Sequence, residues 1–150
     1  MALIDHYFTK TDLQKIAQAC GEVEKKTAGE IRVSVFSKRS RKLKKLALDE
    51  VALDEFYHMG MDKTRDRTGI LLFILLAERK FQILADTGIN AKVEQQVWNE
   101  LAAGLSDSFK KDAYLEGVLQ TVAGMGIILA QWFPRKADDT NELSNEVSVG

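Results

Sequence analysis

Cysteine is all but missing from these 150 residues, and so is proline. The lone thiol, Cys20, excludes an internal disulfide, a cysteine-based zinc centre and an iron–sulfur cluster, and no disulfide-linked partner is expected. A single proline, Pro134, with ten glycines argues against a loop-dominated chain. Histidine occurs only as His6 and His58, one near the chain start and one near a helix end, so both read as structural or solvated groups rather than catalytic ones. The first residues lack a basic stretch followed by an apolar run, so no secretory signal is read and a cytoplasmic protein is expected. The uncharged run Gly117 to Phe133 contains Gln120, Thr121 and Gln131 and falls short of the ~20 apolar residues of a membrane span, which points to a buried helix. What is present is ordinary globular material, 45% apolar and 29% charged. A chain of this size buries roughly 68 to 70 per cent of its unfolded surface and can build a core unaided.

The net charge of −1 conceals an imbalance. Residues 1–45 carry eleven Lys or Arg against five acids, whereas the remainder carries ten against seventeen. Along the chain, Thr9 and Asp12 form the signature of a helix start, with Phe8 placed to staple Leu13, and Leu13, Ile16, Ala17, Cys20 and Val23 follow at helical spacing. From Glu30 to Phe36 the period drops to two, the mark of a strand. Ser40 to about Met59 reads as helix, Gly69 to Ala77 as a strand apolar on both faces, and Phe81 to Asp86 as its hairpin partner across the turn Glu78-Arg79-Lys80. Two helices follow, Asn90 to Leu105 with Asn90 as cap and Asp112 to Trp132, the second containing Gly117, Gly124 and Gly126 for close packing. The order predicts an α/β fold, a small mixed sheet of three to four strands with helices packed on both faces. Residues 1–133 form the body, and 134–150 read as a polar tail with only Leu143, Val147 and Val149 to anchor it.

That order has a chemical consequence. The first two strands are expected to run parallel through a right-handed crossover, and the third to return antiparallel. Glu30, the loop residues Asp62 and Asp66, and Asp86 then arrive at one edge of the sheet. Two carboxylates about 6 Å apart repel by roughly 3 kcal/mol at an effective dielectric near 20, so such a rim needs positive charge. An oxygen-only donor set without nearby His or Cys suits a hard divalent ion, and carboxylates carried on loops suit calcium's flexible shell, with magnesium as the alternative. Also open at this level is neutralisation by Arg32 and by Arg65 or Arg67, which would leave only a surface ion-pair network. The spacing does not match the Asp-rich twelve-residue calcium loop.

The same residues carry a resemblance. Thr27-Ala28-Gly29-Glu30-Ile31-Arg32-Val33, the run Asp66-Arg67-Thr68-Gly69-Ile70-Leu71-Leu72, Arg79-Lys80-Phe81-Gln82-Ile83 and Asp86-Thr87-Gly88-Ile89 resemble the TPM domain family, which includes thylakoid-lumen photosystem-repair proteins and many bacterial proteins. The segment Phe133 to Leu143 resembles the ending of a soluble bacterial branch. The resemblance implies an α/β sandwich around a short sheet and a cation site, usually discussed as calcium, in acidic sheet-edge loops. By position, Asp66 of the Asp-x-x-Gly start and Asp86 are its first ligand candidates, followed by Glu30. It also implies an acid phosphatase activity for some members.

Three functions follow from these readings. The first is a non-enzymatic calcium-binding interaction module with an unidentified protein partner, using the acidic rim. The second is a metal-dependent acid phosphatase, for which the chain lacks an Asp-x-Asp pair, a Cys-x5-Arg loop and a phosphate-cradling Gly-x4-Gly-Lys sequence. The third rests on Lys38, Arg39, Arg41, Lys42, Lys44 and Lys45, six cations in eight residues. Placed at a helix start they oppose the macrodipole, and attraction to nucleic acid or an anionic membrane surface would account for them.

Overall fold

The structure, a computed structural model, describes residues 2–135 and 144–150. Leu143 and most of the segment likened to a soluble-branch ending lie outside the described residues. The elements are α1 (Ile4–Tyr7), α2 (Lys10–Glu24), β1 (Glu30–Phe36), α3 (Leu48–His58), β2 (Gly69–Leu75), β3 (Lys80–Ala85), α4 (Thr87–Asn90), α5 (Gln95–Lys110), α6 (Tyr114–Trp132) and β4 (Ser148–Val149). They build a four-stranded mixed sheet in the order β3-β2-β1-β4. β1 and β2 are parallel, with Glu30 opposite Gly69, and β2 and β3 are antiparallel, with Ile70 opposite Ala85. Strand directions are therefore those the sequence predicts.

The pleat sends alternate side chains of β1 and β2 into two cores. Ile31, Val33, Val35, Ile70, Leu72 and Ile74 face the larger one, with Ile16 and Cys20 of α2, Trp98 and Leu105 of α5, and Val122 and Leu129 of α6. Leu71, Phe73 and Leu75 face the smaller one under Val51, Ala52 and Phe56 of α3. Helices thus cover both faces, and Gly126 lets α6 approach so closely that an added Cβ would stand 2.5 Å from Val23 of α2. No helix among the described residues is long and apolar enough to cross a membrane.

The local signals at α2 act as read: Thr9 Oγ1 accepts from the Asp12 N–H at 3.0 Å and the Asp12 carboxylate accepts from the Thr9 N–H at 2.9 Å. Elsewhere tertiary structure redraws the boundaries. Residues 40–47 are not helical beyond a 3-10 turn at Arg41–Leu43, and α3 starts only at Leu48, where Glu50 Oε1 accepts from the Ala47 N–H. Val51 and Phe56 face inward, whereas Leu53 and Ala47 are exposed. The helix capped by Asn90 is instead the single turn α4 capped by Asp86, whose Oδ1 accepts from the Thr87 N–H at 2.7 Å, and α5 begins afresh at Gln95. Residues 4–7 form the single turn α1. The end of the tail adds β4 to the edge of β1, with Ser34 opposite Ser148.

Candidate functional site

Register brings the backbones of the predicted acidic rim together. Glu30 lies beside Gly69, and the Asp86 N–H donates to the Gly69 carbonyl at 2.9 Å, so the strand ends stand side by side. The loop 61–68 runs over the same edge, and its carbonyls at Asp66 and Arg67 press on Gly88 where a Cβ would sit. Only glycine admits that approach.

The side chains part company. Glu30 turns inside: it is buried, 3.4 Å from Arg32 Nη2, and it belongs to a second network. There Arg32 Nη1 donates to both carboxylate oxygens of Glu24 at 3.0 Å and to the Ile31 carbonyl at 2.6 Å. Burial pushes the Glu24 carboxyl up to about 7, although the facing Arg32 guanidinium works against it. Two carboxylates face Arg32, and Arg135, which donates to the Glu24 carbonyl at 2.6 Å, adds positive charge beside Glu24. On the same strand the Ser34 hydroxyl donates to Glu55 Oε2 at 2.6 Å, and the Ser148 hydroxyl donates to the same oxygen at 2.8 Å, tying β4 to α3.

At the loop edge Asp86 is the anchor. Its carboxylate caps α4 and accepts from Arg67 Nε at 2.8 Å and Nη2 at 3.0 Å, a two-pronged pair. Asp86 is 4% exposed but the Arg67 side chain is 47% exposed, so one partner is fixed and the other faces water. The hydrogen bonds to Asp86 hold the Arg67 guanidinium above its ordinary pKa, and Asp62 adds to the same negative field. Arg67 also sits at φ 55°, in the left-handed region that residues other than glycine rarely adopt. Asp62 Oδ1 is buried without a hydrogen-bond donor. Asp66, half exposed, lies 3.5 Å from Arg65 Nε.

The four predicted rim residues thus divide into a loop group, Asp62, Asp66 and Asp86, and one interior residue, Glu30. Among the described residues no three acidic, histidine or cysteine side chains stand close enough together to hold a metal as they are. Arginine neutralisation, the open alternative at the sequence level, is the arrangement observed. Glu24, Glu55 and Ser148 were not singled out from sequence. The available signal was Arg32 and Ser34 interleaved with apolar residues in one strand, since polar groups buried there require partners.

The basic run also divides. Arg39 is taken up by the fold, with Nε and Nη2 donating to Glu78 at 2.7 and 2.8 Å and Nη1 to the Leu43 and Leu46 carbonyls at 3.1 and 2.7 Å. Lys38, Arg41, Lys42, Lys44 and Lys45 are exposed.

Comparison with known proteins bears on both regions. The profile of the TPM domain matches residues 4–127. Among solved structures, BA42 protein from the psychrophilic bacterium Bizionia argentinensis is similar with a TM-score of 0.85 and 31% identity, over 100% of each chain. The N-terminal domain of a protein from P. gingivalis is similar with a TM-score of 0.69 and 14% identity, over 85% of this chain and 79% of that one, a likeness of fold alone. No curated protein matches the chain.

Proposed function

Because the chain belongs to the TPM domain family, we propose that it is a non-enzymatic binding module whose loop edge takes up a divalent cation, calcium ahead of magnesium, in exchange for the Arg67 guanidinium. The observation that carries this reading is Asp62 Oδ1, a buried oxygen with no donor, in a loop whose arginine already holds Asp86. A hard cation satisfies such an oxygen, and the donor set of Asp62, Asp66 and Asp86, all oxygen, is of the kind calcium accepts. Arg67 is the cation of the ion-free state. Its exposed side chain can leave without breaking any core contact, while Asp86 stays fixed by its cap to Thr87. Exchange of the singly charged guanidinium for a doubly charged ion leaves the edge less negative, but the ion must displace an existing ion pair, which implies modest affinity, of order 10⁻⁴ to 10⁻³ M as in other weak calcium modules.

A thermal melt tests the reading. At a hundred times the dissociation constant, calcium adds about 2.7 kcal/mol, which raises Tm by roughly 5 to 10 °C for a chain of this size. Asp62→Asn should abolish the shift while leaving the metal-free Tm nearly unchanged. A parent protein whose Tm moves with neither calcium nor magnesium overturns the reading.

A further inference from the structure

The loop 38–45 occupies the other end of the sheet, where β1 leads out and the turn from β2 to β3 passes beside it; the Ala77 N–H donates to the Ser37 carbonyl at 2.8 Å. The loop is held in one shape. Arg39 clamps it through Glu78 and the two leucine carbonyls, and Leu43 and Leu46 pack against the smaller core. What this clamp presents outward is cationic. Lys38, Arg41 and Lys44, with the hydroxyl residue Ser40, border an open depression of about 590 Å³, whereas Lys42 and Lys45 lie outside its lining. Glu78 is the one acid in that lining and is already committed to Arg39, whose hydrogen bonds hold its carboxyl below the usual range.

Folding gains nothing from gathering three like charges around one depression, since their mutual repulsion is unfavourable in the unliganded protein. The volume is that of a small-molecule site. Its wall carries no aromatic ring on which a base could stack, so a nucleic-acid strand is disfavoured. The depression is open, so an anionic bilayer face is the competing occupant that the test below separates. Lysine and arginine around a recess, with a hydroxyl between them, are donors matched to phosphate oxygens.

We propose that this depression binds a compact oligophosphate, two or three linked phosphate groups free in solution, through Lys38, Arg41, Lys44 and the Ser40 hydroxyl. Isothermal titration with sodium tripolyphosphate in chelator-treated buffer tests it, with the cation site silent. The parent should bind one equivalent saturably. Two double variants each remove two exposed charges from the same loop, and neither touches the Arg39 clamp. Lys38→Ala with Lys44→Ala should weaken binding by about tenfold or more, because hydrogen bonds to charged groups are lost. Lys42→Ala with Lys45→Ala should weaken it less than about threefold, because only screened, longer-range attraction is lost. Equal weakening by the two pairs overturns the proposal, since a diffuse polyelectrolyte surface would respond to charge alone. So does the absence of saturable tripolyphosphate binding alongside sedimentation with vesicles containing a bisphosphorylated inositol lipid, which would make the loop a membrane contact.

Discussion

Arg32 and Arg67 each hold a carboxylate with a guanidinium, but the two pairs live in different solvents. At Arg32 both partners are sealed, 1% and 5% exposed, and the pair sits between an interior strand and the end of α2. At Arg67 the carboxylate is sealed and the arginine is not. A sealed pair is out of reach of ions in solution, so removing one member leaves interior charge poorly compensated; a half-open pair can exchange its exposed member for an ion from solution. The same chemistry is therefore structural at one site and exchangeable at the other.

Substituting each arginine gives the widest separation. Arg32→Met leaves Glu24 and Glu30 without their shared cation and should lower stability by about 3 to 5 kcal/mol, read as a fall in the urea midpoint. The equivalent change at Arg67 should move that midpoint less, because Asp86 keeps its cap to Thr87 and the arginine it loses already faces water. Equal losses at the two positions would erase the distinction.

The second separation is in pH. With its carboxyl raised from 4.5 to about 7, Glu24 keeps its proton in the folded chain at pH values where the unfolded chain has released it. Its contribution to stability is therefore complete below pH 4.5 and is lost as pH rises through about 7. Glu24→Gln should remove that decline, so parent and variant diverge between pH 5 and pH 8 in denaturant midpoints. A parallel pH profile for parent and Glu24→Gln would show that the proton is not held there.

These sites differ in how far sequence reveals them. Strand direction followed from the crossover rule and the hairpin turn, and it correctly placed Glu30, Gly69 and Asp86 at one edge. The Thr9–Asp12 cap was legible because capping is local. Side-chain direction was not local. Glu30 belongs to the interior because Arg32, two residues on in the same strand, already reaches Glu24, and nothing in the spacing announces that Glu24 ends its helix within reach. The loop 40–47 was misread as helix for a related reason: Arg39 collects the Leu43 and Leu46 carbonyls and Glu78, and this long-range clamp overrides a pattern of leucines that locally favours a helix. The expectation that charge opposes a helix dipole at Lys38 to Lys45 falls with it. The family assignment was legible because it depends on sequence motifs rather than on where side chains turn.

Smaller effects sharpen the comparison at the loop edge. Asp86→Ala removes the α4 cap and should cost about 1 kcal/mol, with loss of any calcium-induced shift in Tm. Asp66→Asn, at a half-exposed residue, should leave stability unchanged within about 0.5 kcal/mol while weakening calcium binding.

The exchange of Arg67 for a cation is tested most directly by Arg67→Gly, which suits the left-handed backbone at that position and removes the competing charge together. Calcium titration of this variant by calorimetry should give binding tighter than in the parent, by about tenfold if the displaced pair had opposed the ion by roughly one factor of ten in the equilibrium. Calcium affinity that stays the same or falls would mean that the arginine never stood in the cation's place.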